Sequence, residues 1–225
     1  MLKENVENIL NEIKGGNNFN EPITLVAAIK TVCAEEVNRA IGYGIKVVAE
    51  NKVQEFREKN DLIFPCTRHF IGHLQTNKVK YIAGKVDLIH SVDTIHLAEE
   101  INSFCQKRGI IQNILLEINA GGEISKNGFT KPEAERAVEE ITEKFKSVKV
   151  KGLMAMMPLN TEQSKIADIM DGIRSSYDGL KKQGFDFNCL SMGMSGDYKL
   201  AIAHGSNTIR IGTALFGKRN YGGQV

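Results

Sequence analysis

The chain has no tryptophan, only four prolines in 225 residues, and four cysteines set far apart: Cys33, Cys66, Cys105 and Cys189. The cysteines form no C-x-x-C pair and no zinc-like spacing, which argues against a structural metal and a disulfide framework. Dispersed single cysteines suit a reducing compartment. Neither charge is in excess, because 29 basic and 27 acidic residues leave a formal net charge of +2. Nothing electrostatic therefore points to nucleic acid or an anionic membrane as the main partner. No apolar run approaches the roughly 20 residues that cross a bilayer. The opening MLKENVENILNEIKGG mixes acids and asparagines with its apolar residues, unlike a signal peptide. Low-complexity tracts and Pro- or Ser-rich linkers are missing too. These absences leave a cytoplasmic globular protein, and 42% hydrophobic residues suffice for a real core.

What is present is an alternation. Val6, Ile9, Leu10 and Ile13 lie at helical spacing, and Gly15-Gly16 ends that amphipathic segment. Then ITLVAAI (23–29), IKVVAE (45–50), RHFIG, VDLIHSV (86–92), IIQNILLEI (110–118), VKVKGLMAMM (148–157), NCLSMGM (188–194) and TIRIGTALFG (208–217) read as strands. Helices are expected near 34–43, 75–83, 94–107, 162–182 and 197–204, and Pro132 can open another in its first turn. Such alternation implies parallel strands with crossover helices. Eight units favour closure into a barrel, and the length fits one domain. No G-x-G-x-x-G follows the first strand, which weakens a dinucleotide-binding reading. The expectation is one α/β domain over residues 1–225, a (β/α)8 TIM-type barrel with an extra N-terminal helix.

Chemistry in such a barrel belongs at the C-terminal ends of the strands. Strand period places Thr24, Val26, Ala28 and Lys30 on one face and the bulkier Ile23, Leu25, Ala27 and Ile29 on the other. The bulkier set suits the barrel–helix layer, so Lys30 faces the axis. Desolvation favours the neutral amine that a Schiff base requires, although a strand-end lysine can also snorkel to solvent. Ser191, Gly193, Ser195 and Gly196 fill the loop after strand seven, and Gly212-Thr213 lie within the strand-eight segment. Loops there build phosphate cups from backbone N–H groups and hydroxyls, the alternative being plain turn residues. Arg210, between Ile209 and Ile211, points inward and needs an acceptor, either a ligand or a structural ion pair. Glu50, Asn51, His73, Ser91, Asp93, Met156 and Met157 also fall near strand ends. Among the histidines only His73, beside Gly72, reads as a site neighbour; His69, His90, His96 and His204 read as structural. Met154, Met156 and Met157 read as adaptable packing.

Several motifs carry a family resemblance: AAIKTV around Lys30, AENKVQE (49–55), HFIGHLQTNK (69–78), IHSVD (89–93), SKNGF (125–129), GLMAMMP (152–158), LSMGMSGD (190–197) and GSNTIRIGTALFGKR (205–219). From Thr24 to Arg219 the chain resembles the pyridoxal phosphate homeostasis proteins, which are similar in fold to the N-terminal barrel of alanine racemase. The resemblance implies pyridoxal 5′-phosphate (PLP) held as a Schiff base on Lys30. It assigns Ser195, Gly212 and Thr213 to the phosphate, Arg210 to the pyridine nitrogen and Asn51 to the ring, with Met194 and His73 as further neighbours. Ala49, Ile29 and Arg68 depart from a more usual Gly, Ser and aromatic, which touches pocket shape only. An arginine against the pyridine nitrogen keeps it unprotonated, a poorer electron sink. With no second domain and no second base expected, the resemblance implies intracellular PLP (vitamin B6) homeostasis and carriage with little or no catalysis. The runner-up is a low-activity amino-acid racemase, and a third reading is a phosphate-sugar enzyme without PLP. Expected partners are PLP and either apo PLP-dependent enzymes or amino acids, with no nucleic acid or membrane. A monomer is expected because no long exposed apolar helix stands out.

Overall fold

A computed structural model describes residues 1–122 and 127–217. Ser125 and Lys126 of the SKNGF motif, and Lys218 and Arg219 of the last motif, lie outside the described residues. Eight strands pair in parallel and in sequence order into a closed barrel. They are β1 (Thr24–Ala28), β2 (Val47–Glu50), β3 (Thr67–Phe70), β4 (Leu88–Val92), β5 (Gln112–Ile118), β6 (Val148–Ala155), β7 (Cys189–Ser191) and β8 (Thr208–Ile211). β1 closes the ring against β8, with Val26 opposite Arg210.

The helices are α1 (Leu2–Ile13), α2 (Ala34–Gly42), α3 (Val53–Lys59), α4 (Val79–Ile82), α5 (Ile95–Gln106), α6 (Lys131–Lys144), α7 (Gln163–Lys182), α8 (Tyr198–Ala203) and α9 (Thr213–Phe216). Period two sorts β1 as the sequence suggests. Val26 and Ala28 cluster with Val47, Ala49 and Ile71 inside the barrel. Leu25, Ala27 and Ile29 pack outward with Val6, Ile9 and Ile13 of α1 and Val37 of α2. The extra N-terminal helix thus covers β1 and β8 rather than standing apart. Local signals fix the ends of other helices. Thr94 accepts the Leu97 N–H at 3.1 Å to start α5. At α6 the Thr130 N–H donates to Glu133 at 2.8 Å, with Pro132 in the first turn.

Several elements differ from the sequence reading. The segment TIRIGTALFG is not one strand. The Gly212 carbonyl accepts from Leu215 at 3.0 Å and Phe216 at 2.9 Å, so the chain coils into α9 and carries Gly212 and Thr213 out of the sheet. Strand six stops at Ala155 rather than Met157, and Met156 stands 48% exposed. A helix, α3, fills the connection after β2 where none was expected. Its sequence VQEFREK holds only two apolar residues, too few to show a helical period. The expected helix near 75–83 is a 3₁₀ turn, Thr76–Lys78, running into the single turn of α4.

The N-terminal end of the barrel is closed by a polar network. The buried Arg174 of α7 donates to Glu21 at 2.8 Å, to Asp178 at 2.9 Å and to the Gly205 carbonyl at 2.8 Å, and lies 4.0 Å over the Phe19 ring. Asn17 bonds Glu21 and the carbonyls of Gly205 and Ser206, and Asn207 holds the Leu190 N–H at 2.7 Å. Among the described residues no helix is long and apolar enough to cross a membrane. All four cysteines are free.

Candidate functional site

The opposite, C-terminal end of the barrel is hollow. A cavity of about 490 Å³ there is lined by Lys30, Asn51, Met194 and Ser195, and by Arg210, Gly212 and Thr213. These are the seven residues that the sequence singles out as a cofactor site, brought together from β1, β2, β7 and β8. His73 stands outside this cavity and lines two neighbouring ones.

Lys30 lies two residues past the end of β1, beyond the strand end where the sequence put it, and is half-buried. The next residue, Thr31, has φ of +61°, a left-handed conformation that costs a β-branched residue energy and must be held by its surroundings. The hold is visible. The buried Lys59 of α3 donates to the Ile29 carbonyl at 2.6 Å and the Val32 carbonyl at 3.1 Å, on either side of Lys30. Glu55 accepts the Thr31 N–H at 2.6 Å, and Glu50, 2% exposed, pairs with Lys59. Glu50 also accepts the Asn51 N–H at 2.8 Å, so one ionic cluster fixes the backbone of two cavity residues. Sequence reasoning noted Glu50 at a strand end but missed Lys59 and Glu55, because both belong to the unforeseen helix. Gly72 completes this side: a Cβ there would lie 1.8 Å from the Asn51 carbonyl oxygen.

Arg210 is 4% exposed and points inward, as expected. It forms no salt bridge among the described residues, so the structural ion pair considered from sequence is not what holds it. Its guanidinium donates to the Ser191 carbonyl at 2.8 Å, the Ser191 hydroxyl at 2.5 Å and the Ala155 carbonyl at 2.8 Å. These bonds use three of its five N–H donors. Burial, partly offset by the charge of Glu117, pushes its pKa down to about 10, which still leaves it a cation. Behind it runs a buried chain: the Ser191 hydroxyl meets His90 Nδ1 at 3.1 Å, and His90 Nε2 meets His69 Nδ1 at 2.9 Å. The arginine can only donate, which leaves the Ser191 hydroxyl proton free for a hydrogen bond to His90 Nδ1. His90 then donates from Nε2 to His69. Burial holds His69 down at about 4 and His90 well below its usual value, so both are neutral. His69 and His90 are structural as expected, and the structure adds that they support Arg210.

On the β7–β8 side, the Ser195 hydroxyl accepts the Ala214 N–H at 3.2 Å and ties the two loops together. The backbone N–H groups of Ser195, Gly196, Gly212 and Thr213 have no hydrogen-bond partner among the described residues. Four donors and two hydroxyls around one hollow form an anion cup. Gly193 permits the turn beneath it, with φ of +93° and no room for a Cβ, which would lie 2.9 Å from the Tyr198 Cα. Across the mouth, His73 Nδ1 lies 3.1 Å from Asp93, and the Ser91 hydroxyl donates to the Gly72 carbonyl at 2.5 Å. The site residue that sequence reasoning missed outright is Glu117. Burial, reinforced by the charge of Asp93, pushes its carboxyl up to about 7. Its place in the apolar run IIQNILLEI was the available signal. Among the described residues no group of three or more His, Cys, Asp or Glu could hold a metal.

Known proteins resemble this chain over most of its length. The model of the alanine racemase N-terminal domain matches residues 2–220. The pyridoxal phosphate homeostasis protein of Aquifex aeolicus is 42% identical over 200 residues, covering 88% of this chain and 87% of that one. Its counterpart in Escherichia coli K12 is 34% identical over 206 residues, covering 89% and 88%. Among solved structures, PipY of Synechococcus elongatus with PLP bound superposes with a TM-score of 0.83 at 28% identity, over 96% of this chain and 100% of that one. Alanine racemase of Clostridium difficile superposes at 0.75 with 17% identity over 97% of this chain and 56% of that one, a likeness of fold alone.

Proposed function

Because the chain belongs to the pyridoxal phosphate homeostasis protein family, we propose that it binds PLP reversibly as a Schiff base on Lys30 and serves intracellular PLP homeostasis and carriage with little or no catalysis. One observation carries the reading: a primary amine, a buried cation with unused donors and an anion cup surround one cavity. The cofactor fits what these residues lack. The Asn51 side-chain oxygen is buried with no hydrogen-bond partner, a gap that a bound donor fills. Two Arg210 N–H donors await an acceptor such as a pyridine nitrogen, and the cup awaits a phosphate.

When bound, PLP supplies an aldehyde carbon that accepts amines and a ring that can withdraw electrons. The chain's residues do the rest. Lys59 and Glu55 hold the backbone on either side of Lys30, at Ile29, Thr31 and Val32, which fixes where its side chain leaves the barrel wall. Arg210 stays cationic and would donate to the ring nitrogen of the bound cofactor. It does not protonate that nitrogen and so leaves the electron sink weak. This favours holding and handing over the cofactor, to apo-enzymes or amino acids, above turning over substrates. The test is PLP titration of the purified protein followed by visible absorption. A saturable imine band is expected, absent in Lys30→Ala, with racemisation of L-amino acids no faster than with free PLP. A band that persists in Lys30→Ala removes the assignment.

A further inference from the structure

Beside the Lys30 cavity lies a second hollow of about 460 Å³, and the two share Ile71, Met156 and Met194 as a common wall. Glu117, at the end of β5, lines the second hollow. It is 8% exposed and forms no hydrogen bond or salt bridge among the described residues, while it feels the charges of Asp93 and Arg210. With no donor from the described chain, this carboxyl opens into the hollow and can accept from a group bound there. Three observations narrow the donor's chemistry. Asp93, 7% exposed, adds its own negative charge behind His73, so an anion is disfavoured. Among the described residues no group of three or more His, Cys, Asp or Glu gathers there, so the hollow offers a metal ion too few ligands. The lining carries no Phe, Tyr or Trp, so the cage that selects a quaternary ammonium is missing. Most of the remaining wall is aliphatic or thioether, including Ile118, Met157 and Leu159.

We propose that this hollow is a second subsite that binds the ammonium group of an aliphatic primary amine, with the carboxyl of Glu117 as its acceptor and the apolar wall around its chain. The subsite itself does not depend on PLP. Its use does rest on the PLP reading: it would hold an incoming amine next to Lys30, where a cofactor acceptor must arrive. Glu117 acts by contact with the amine, and His73 and Asp93 act by charge and shape.

The test uses apo-protein, so that no amine is consumed by PLP. Calorimetric titration compares n-pentylammonium, pentan-1-ol and tetramethylammonium. The primary ammonium should bind about tenfold more tightly than the alcohol, as a charge-assisted bond exceeds a neutral one, and tetramethylammonium should not compete. Glu117→Gln, nearly the same size, should abolish the preference, while Lys30→Ala should keep it. Equal binding of ammonium and alcohol by the wild-type protein overturns the proposal, whatever the variant does. A preference that survives in Glu117→Gln overturns it too. PLP loading, measured separately on the same wild-type protein, shows whether the cofactor reading has failed instead.

Discussion

At the N-terminal end of the barrel the guanidinium of Arg174 meets Glu21, Asp178 and the Gly205 carbonyl. At the C-terminal end the equally buried Arg210 meets only Ser191 and the Ala155 carbonyl, with no carboxylate partner. The contrast extends to their neighbours. Around Arg174 the side chains of Asn17, Ser206 and Asn207 are bonded, and the buried Tyr177 hydroxyl is the exception. Around Arg210, the Asn51 oxygen, the Glu117 carboxyl and four backbone N–H groups have no partner among the described residues. Buried polar groups in folded proteins are almost always paired. At the C-terminal end the Asn51 oxygen, which lines the Lys30 cavity, is one such exception. The two arginines therefore separate a structural end from a binding end.

The comparison breaks most visibly at Arg174. Arg174→Ala leaves Glu21 and the Gly205 carbonyl without their donor and should lower unfolding free energy by about 3 kcal/mol, with PLP affinity of the folded protein unchanged. Denaturant unfolding alongside PLP titration reads both. The acid limb comes next. His69 sits at about 4 in the folded chain against an ordinary 6.5, and His90 is lowered too. An unfolded chain therefore binds protons that the native one refuses, and stability should fall as pH drops from about 6.5 towards 4. The loss should be on the order of 3 kcal/mol for His69 alone. Glu117, raised to about 7, has the opposite sign: its native carboxyl keeps a proton that the unfolded one sheds above about 4.5. Glu117→Gln should accordingly steepen the acid loss in urea melts run across this range.

At the binding end, Arg210→Gln should weaken PLP by about 2 kcal/mol, roughly 30-fold in Kd, through the lost charged donor. Its effect on affinity should far exceed any effect of Arg174→Ala. Ser195→Ala removes one neutral hydroxyl from the cup and should cost about 1 kcal/mol, close to fivefold in Kd. An Arg210 variant that loses stability but keeps its PLP affinity would erase the distinction between the two ends.

Much of this was legible beforehand. Eight apolar runs at regular spacing imply the barrel, and strand period two points Arg210 and the run that leads to Lys30 inward. What stayed hidden was tertiary. Lys59 and Glu55 act on Lys30 through backbone carbonyls and an N–H group, and no local pattern marks such contacts. The turn at Gly212 was invisible because IGTALFG is as apolar as a strand, and only the hydrogen bonds to the Gly212 carbonyl show that it coils. Glu117 looked like one polar residue in a buried run, and its isolation emerges only once the strands close.

At the open end of the barrel, Lys30 is the amine proposed to take the cofactor. Borohydride reduction of the PLP-saturated protein, then peptide mass analysis, tests it most directly. A single pyridoxyl adduct on the peptide containing Lys30 is the expected result. An adduct on any other lysine, with Lys30 unmodified, would contradict the account.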